Sequence, residues 1–222
     1  NTNEHALEPS NSVMAAIARV QADQLRRYPD PLAIDLRKAI ADSEGLSAAQ
    51  VFVGNGSDEV LAHSWSAYLL GRTVQTLDTT YGFYPVWADL YDSQLIEVPL
   101  QRDFSVDIAA LCDSPHPVVL ANPNAPTGIA LSVGEIESLV NSNCDRLIII
   151  DEAYHGFGAD TAAQLVDQHD NLIVSRSLSK SHALAGMRVG YALANTELID
   201  GLNRIKDSFN SYPLDAIAQA AG

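Results

Sequence analysis

One lysine and the hydroxyl groups before it form the most reactive segment of the sequence. The apolar run 172–174 is followed by Ser177, Ser179 and Lys180. Arg188 lies eight residues after the lysine. Hydroxyls and a guanidinium bind phosphate oxygens, and a desolvated lysine amine can form a Schiff base with a carbonyl compound. Most lysines are solvated surface groups, but residues 183–187 are small or apolar, which favours a partly buried amine here. The segment predicts a reactive amine beside a phosphate site.

The charges around this lysine are of one sign. No acidic residue occurs in 171–196, whereas Arg176, Lys180, His182 and Arg188 all lie there. The stretch could hold an anion, although a gap of this length in the acidic residues also arises by chance. We treat it as a second, weaker indication of an anion site.

A glycine-rich turn at 54–57 is a second candidate for binding phosphate. It follows the apolar run 51–53 and opens a predicted helix. Glycine lets the backbone approach an anion, and free N–H groups at a helix start point toward it. The alternative is an ordinary capped helix, in which Ser57 is the cap and the carboxylates of Asp58 and Glu59 interact favourably with the positive end of the helix dipole. This motif alone favours the capped helix.

Two further apolar runs end in polar residues. The run 147–150 stops at Asp151, with Tyr154 three residues on. A carboxylate there is either a helix cap or a group that binds a ligand. The run 117–121 continues into a rigid turn of Pro, Asn and Gly at 122–128, which either presents a side chain to a ligand or merely reverses the chain.

The elements that must position these residues alternate between helices and short strands, which predicts an α/β fold with a largely parallel sheet. In such a sheet, ligands bind at the carboxyl ends of the strands, where all four segments lie. We find no repeat or linker that would divide the chain. The predicted helices are 11–27, 32–44, 57–70, 82–91, 132–142 and 196–209, and the predicted strands are 51–53, 73–77, 94–99, 117–121, 146–150, 171–175 and 189–194.

Composition excludes several functions. The 222 residues carry a formal net charge of -15 and are 47% hydrophobic, which fits a globular protein and argues against nucleic acid or an anionic membrane as a partner. Cys112 and Cys144 lie far apart, so neither a disulfide nor a metal site is predicted. With no long apolar run and no signal-peptide pattern, we expect a cytoplasmic protein.

Taken in order along the chain, these segments resemble the fold-type I aminotransferases, and within them the histidinol-phosphate aminotransferase family. The resemblance covers nearly the whole chain. It rests on the segments Arg27-Tyr28-Pro29-Asp30, Gly56-Ser57-Asp58-Glu59, Thr80-Tyr81-Gly82-Phe83-Tyr84, Asn124-Ala125-Pro126-Thr127-Gly128, Asp151-Glu152-Ala153-Tyr154 and Ser177-Leu178-Ser179-Lys180 with Arg188. It implies a three-layer α/β/α fold, the cofactor pyridoxal 5'-phosphate and a homodimer.

The resemblance also implies a role for each matching residue. Lys180 would bind the cofactor as a Schiff base, and Asp151 would pair with the pyridine nitrogen and keep it protonated, which makes the ring an electron sink. Tyr154 would contact the ring oxygen, and Tyr81 would stack on the ring. The phosphate would be surrounded by Gly56, Ser57, Asp58, Ser177, Ser179 and Arg188, with Tyr28 reaching the phosphate in the neighbouring subunit.

Two departures from the family pattern bear on substrate binding. The family commonly has Asn immediately before Pro-Thr-Gly, where it bonds the ring oxygen, but Ala125 stands there and Asn124 is the nearest substitute. No arginine matches the one that clamps the substrate carboxylate in the family's smaller C-terminal domain. We therefore expect residues 1–222 to be the cofactor-binding large domain, with the N-terminal arm and the small domain absent.

The implied reaction moves an amino group between histidinol phosphate, or a similar donor, and 2-oxoglutarate. A decarboxylase acting on threonine phosphate and an aminotransferase for aromatic amino acids share the cofactor motifs and remain open. A catalytically incomplete module that only binds the cofactor is the alternative from a different class. It predicts a broken lysine or aspartate, and neither is broken. A nucleotide-binding protein would need a phosphate-loop or dinucleotide motif, which the sequence lacks.

Overall fold

The computed structural model describes residues 3–222. Seven strands form one mixed sheet in the order β1-β7-β6-β5-β4-β2-β3. All neighbours are parallel except those of β7, which runs antiparallel to β1 and to β6. The strands are β1 (Val51–Asn55), β2 (Thr73–Leu77), β3 (Gln94–Val98), β4 (Val118–Ala121), β5 (Ile148–Asp151), β6 (Leu172–Ser177) and β7 (Val189–Ala194).

The larger helices connect these strands and cover the sheet. Short 3-10 turns occur at 48–50, 162–165 and 185–187. The helices are α1 (Asn11–Ala18), α2 (Ala22–Leu25), α3 (Ile34–Glu44), α4 (Gly56–Ser64), α5 (Tyr84–Leu90), α6 (Ile108–Cys112), α7 (Val133–Asn141), α8 (Leu178–Ser181), α9 (Thr196–Phe209) and α10 (Ala216–Ala221).

The apolar core lies in two clusters, one on each face of the sheet. Successive side chains of a strand point to opposite faces, so β5 sends Ile148 and Ile150 into one cluster and Ile149 into the other. The first cluster contains buried residues of α3, α7 and α10, and the second contains residues of α4, α5 and α9. This arrangement confirms the predicted three-layer α/β fold with a mostly parallel sheet.

All seven predicted strands are present, but two helix predictions were wrong in part. The span 11–27 is two short helices separated at 19–21, and neither α1 nor α2 buries a residue. Without an apolar face to pack, a long exposed helix has little to stabilise it. The span 57–70 is α4 followed by a π-helical turn at Trp65–Leu69. The short helices α6 and α10, each capped by an aspartate, were missed.

No helix within 3–222 combines the length and the apolar character needed to cross a membrane.

Candidate active site

Asp151 and Lys180 both follow from the carboxyl edge of the sheet, because β5 and β6 are parallel neighbours. Asp151 ends β5 opposite Ser175 of β6, and α8 begins directly after β6 and carries Lys180. Asp151 is only 4% exposed, whereas Lys180 is half-buried and opens to a cleft. The two segments thus lie at the same edge of the sheet.

The Asp151 carboxylate is buried without a cation. Its Oδ1 accepts a hydrogen bond of 3.1 Å from the Ala153 N–H, and its Oδ2 accepts one of 3.0 Å from the Tyr84 hydroxyl. No ion pair among residues 3–222 includes it. Desolvation raises its pKa to about 6, against the two hydrogen bonds, which favour the charged form. The group is a buried acceptor whose charge no cation among the described residues neutralises.

Aromatic rings pack beside this carboxylate. Tyr81 lies in the turn before α5, and its ring meets that of Tyr84 edge-on, with centroids 5.7 Å apart. The Tyr81 hydroxyl donates to Oδ1 of Asp58 at 3.3 Å. Desolvation and the Asp58 carboxylate raise the pKa of Tyr81 to about 12, so the phenol stays neutral at physiological pH.

The glycine-rich turn before α4 has the features of an anion site. Gly56 has φ +83°, and a Cβ there would overlap the Arg188 guanidinium. Asn55 precedes the helix without a side-chain hydrogen bond to its first turn, so the alternative of a Ser57 cap is wrong: Ser57 lies inside the helix. The first N–H groups of α4 therefore lack a side-chain cap and lie next to a guanidinium.

Arg188 has an uncommon backbone that aims its side chain at this turn. Its φ is 52°, a left-handed conformation that bulky residues seldom adopt. Nη2 lies 3.3 Å from Oδ2 of Asp58, and both side chains remain about half exposed. Ser177 and Ser179 lie at the start of α8, where the Ser177 hydroxyl accepts a hydrogen bond from the Ser179 N–H at 3.0 Å.

The amine of Lys180 faces Tyr154 and the N-terminal segment. Its Nζ donates to the carbonyl oxygen of Asn3 and lies 6.0 Å from the centroid of the Tyr154 ring. The Asn3 amide also donates to the Tyr154 hydroxyl at 2.7 Å. A cleft of about 490 Å³ opens here; it is lined by Asn3, Glu4, His5, Ala6, Tyr154, Phe157 and Lys180. Asn1 and Thr2, which belong to the same sequence segment, lie outside the described residues.

Asn124 uses its side chain within the turn at 122–128. The amide donates to the Thr79 carbonyl oxygen at 2.9 Å and to the Thr127 hydroxyl at 3.1 Å, and its oxygen accepts from the Thr80 hydroxyl at 2.8 Å. The side chain is 4% exposed. Asn124 therefore ties this turn to the segment that carries Tyr81, and Ala125 offers no polar group of its own.

Arg176 does not contribute to an anion site, and this part of the sequence interpretation was wrong. Its guanidinium is 1% exposed and pairs with Glu152 at 2.9 Å and with Glu44 at 2.5 Å. Arg176 points to the sheet face opposite Ser175, because side chains alternate along β6. Burial lowers the pKa of His182, which leaves that ring neutral near pH 7. Lys180 and Arg188 are the cations of the stretch that remain near the site.

Tyr28 lies on the connection between α2 and α3. It is 81% exposed and stacks on Tyr212, with ring centroids 4.6 Å apart. Residues 3–222 contain no group of three or more His, Cys, Asp or Glu side chains that could hold a metal ion.

Sequence reasoning missed Tyr84 as part of the site. The segment Tyr81-Gly82-Phe83-Tyr84 shows two tyrosines, and its pattern alone does not tell which of them reaches the carboxylate. Tyr84 is the first residue of α5 and is fully buried. The available signal was the three-residue spacing from Tyr81, which places both side chains on one side of the helix start.

A family model described as aminotransferase class I and II matches residues 1–222, the whole chain. The chain belongs to this family. Family members use pyridoxal 5'-phosphate, and the residues at the carboxyl edge fit that group. Asp151 is a buried acceptor without a cation, the first turn of α4 is uncapped beside Arg188, and Lys180 supplies an amine to the adjoining cleft.

Individual relatives are similar over the full length of this chain. Histidinol-phosphate aminotransferase 1 of Bordetella parapertussis is 51% identical over 224 residues, which cover 99% of this chain and 63% of that protein. Histidinol-phosphate aminotransferase 2 of Gluconobacter oxydans is 52% identical over 221 residues, which cover 99% of this chain and 62% of that protein. The crystal structure of histidinol-phosphate aminotransferase from Sinorhizobium meliloti in complex with pyridoxal-5'-phosphate superimposes with a TM-score of 0.85 at 27% sequence identity. The match covers 100% of this chain and 62% of that one. The chain thus spans just under two thirds of these relatives.

Proposed function

We propose that the full-length protein is a pyridoxal-phosphate-dependent aminotransferase that takes histidinol phosphate as amino donor and 2-oxoglutarate as acceptor. The observation that carries this proposal is the convergence of a buried, cation-free Asp151 and the Lys180 amine at one edge of the sheet. Relatives at about half identity with histidinol-phosphate aminotransferase names support the choice of donor.

The chemistry divides between cofactor and protein. Bound pyridoxal phosphate supplies a carbonyl carbon that condenses with amines and a ring that withdraws electrons from the amino-bearing carbon. Asp151 would accept a hydrogen bond from the protonated ring nitrogen, because a carboxyl with a pKa of about 6 is still mostly ionised at pH 7. Lys180 would hold the cofactor through its amine, and its free Nζ would accept the proton from the amino-bearing carbon of the donor and return it to the cofactor.

The remaining residues orient the cofactor. We assign the ring oxygen to the Tyr154 hydroxyl and one ring face to Tyr81. The phosphate would be held by the N–H groups at the start of α4, two hydroxyls and a guanidinium, from Gly56, Ser57, Asp58, Ser177, Ser179 and Arg188. Asn124 acts from the turn that it holds against Thr79 and Thr80.

The proposal extends to the domain and the assembly. Residues 1–222 would be the large cofactor-binding domain of a cytoplasmic homodimer, with Tyr28 of each subunit reaching the phosphate in the other. The high exposure of Tyr28 within one chain supports this role, because an exposed aromatic ring is available to a partner. The arginine that clamps the substrate carboxylate would come from residues beyond these 222.

The test begins with the purified full-length protein and added pyridoxal phosphate. We expect visible absorption from lysine-bound cofactor, and borohydride reduction followed by peptide mapping should place the label on Lys180. Lys180→Ala should lose the label and at least a thousandfold in kcat, on the scale of removing a covalent catalyst. A label on another lysine would overturn the assignment. A panel of histidinol phosphate, threonine phosphate and aromatic amino acids, followed by product analysis, then identifies the donor.

A further inference from the structure

We propose that Tyr84 is a positioning residue of the active site: its hydroxyl holds the Asp151 carboxylate in place and in its charged form, and its ring holds Tyr81. The proposal rests on the function proposed above. It concerns a residue to which neither the resemblance nor the proposed function assigns a role.

The hydroxyl of Tyr84 has a single hydrogen-bond partner among residues 3–222, and that partner is the catalytic carboxylate. It donates to Oδ2 of Asp151 at 3.0 Å, while Oδ1 is held by the Ala153 N–H. One bond thus comes from the backbone after β5 and the other from α5, so the carboxylate plane is fixed from two elements. Tyr84 is 0% exposed and Asp151 4%, so water competes little for either group.

The aromatic ring of Tyr84 packs against three other aromatic rings. It packs on Trp65 with centroids 6.0 Å apart and on Trp87 at 6.2 Å. Its edge meets Tyr81 at 5.7 Å and an interplanar angle of 83°. A rigid Tyr84 therefore touches both groups that we assign to the cofactor ring, the acceptor for its nitrogen and the aromatic ring beside it.

The surroundings of Asp151 favour its protonated form, and the hydrogen bond from Tyr84 opposes this by favouring the carboxylate. Burial raises the pKa of Asp151, and the carboxylates of Asp58 on α4 and Glu152 next in sequence raise it further. Against these stand the donors, the Tyr84 hydroxyl and the Ala153 N–H. The pKa of Tyr84 is itself raised well above its ordinary value by burial and by Asp151, so the phenol remains a donor throughout the physiological range.

Tyr84→Phe tests the role because it removes one oxygen and keeps the ring. In the full-length protein labelled with 13C-aspartate, with the cofactor removed, we expect the pKa of Asp151 to rise by about one pH unit. With pyridoxal phosphate added back, the pH below which the cofactor affinity falls should rise by a similar amount. Near pH 6 the ionised fraction of Asp151, and with it the affinity, should then fall roughly fivefold. Asp151→Asn assigns the resonance and should abolish the effect of Tyr84→Phe on the pH dependence.

Tyr68→Phe is the matched control. The Tyr68 hydroxyl is partly buried and also bonds within the protein, to the Leu198 carbonyl oxygen at 2.6 Å, but not to Asp151. We expect it to leave the Asp151 titration unchanged. An equal shift in both variants, or none in Tyr84→Phe, would overturn the proposal.

A measurement on the unmutated protein decides the matter even where Tyr84→Phe does not fold. The 13Cζ resonance of Tyr84 should titrate with the same midpoint as the Asp151 carboxyl, and a Tyr84 resonance that does not follow Asp151 contradicts the proposal. Absence of cofactor binding in the unmutated protein would refute the proposed function, whereas the coupled titration would still decide the role of Tyr84.

Discussion

Gly190 on β7 lies directly against the backbone of Gly56, so that the strand and the turn before α4 touch without a side chain between them. A Cβ on Gly190 would overlap the carbonyl carbon of Gly56 and the nitrogen of Ser57. Because Gly190 has no side chain, the turn that forms the proposed phosphate site packs directly against β7.

Gly190→Ala should push this turn outward. We expect a loss of about 1–3 kcal/mol in the free energy of unfolding, the usual cost of overpacking, and a cofactor affinity at least tenfold weaker. Denaturant unfolding and a titration with pyridoxal phosphate measure the two effects. Gly134→Ala on α7 is the control, because a Cβ there meets nothing within 4 Å. If both variants bind the cofactor equally well, the turn does not depend on this contact.

The buried carboxylate of Asp151 should make the cofactor-free protein less stable as the pH rises. Its pKa goes from 3.8 to about 6 on folding, so the folded state binds more protons than the unfolded state between these values. Stability from this group is then full below pH 3.8 and falls as the pH rises through about 6, by roughly 3 kcal/mol in total.

Asp151→Asn removes this titration and so tests the sign. In the full-length protein without cofactor, we expect the variant to be more stable than the unmutated protein at pH 8, with the difference shrinking as the pH approaches 4. Urea unfolding at several pH values measures it. A difference that is constant with pH would show that the carboxylate does not titrate as its burial requires.

The strands and their polar ends could be predicted from the sequence because the signal is local. Apolar runs such as 147–150 end in turn residues, and parallel strands bring those ends to one edge. The interpretation of Arg176 failed because its partners are distant in sequence: Glu44 lies 132 residues away. The absence of acidic residues in 171–196 therefore did not show which charges lie around the Arg176 guanidinium. Tyr84 was missed for the same reason, since its partner Asp151 lies on another element.

The ion pair of Arg176 should be needed to hold the loop after Asp151. Glu152 is 2% exposed and receives hydrogen bonds from Arg176, from the Thr161 hydroxyl and from the Ala162 N–H, which together tie the loop carrying Tyr154 to β6. Arg176→Met leaves this carboxylate buried without its cation. We expect a loss of about 3–5 kcal/mol in the free energy of unfolding.

The control is an exposed pair on α2. Arg26 lies next to Asp23 with both side chains more than half exposed, and Arg26→Met should change stability by less than about 1 kcal/mol. Thermal unfolding of the two variants compares them directly. Similar small losses in both would mean that Arg176 contributes no more than a surface arginine.

Asn124 and Ala125 offer the last test, which asks whether the amide acts on the cofactor or on the turn. All three hydrogen bonds of the Asn124 side chain go to Thr79, Thr80 and Thr127. Asn124→Ala should therefore loosen the segment before Tyr81 and weaken the affinity for pyridoxal phosphate by roughly tenfold, the effect of about 1.4 kcal/mol. Ala125→Asn adds an amide immediately before Pro126 and should strengthen binding.

The double variant separates the two roles. If Asn124 only holds the turn, Ala125→Asn cannot replace it, and the affinity changes of the two substitutions should add within about 0.5 kcal/mol. If Asn124 instead bonds the ring oxygen, the new amide at 125 would take over that contact and restore the affinity lost in Asn124→Ala. Cofactor titrations of the four proteins complete the cycle. Because the turn hydrogen bonds already use every polar atom of Asn124, we expect additivity.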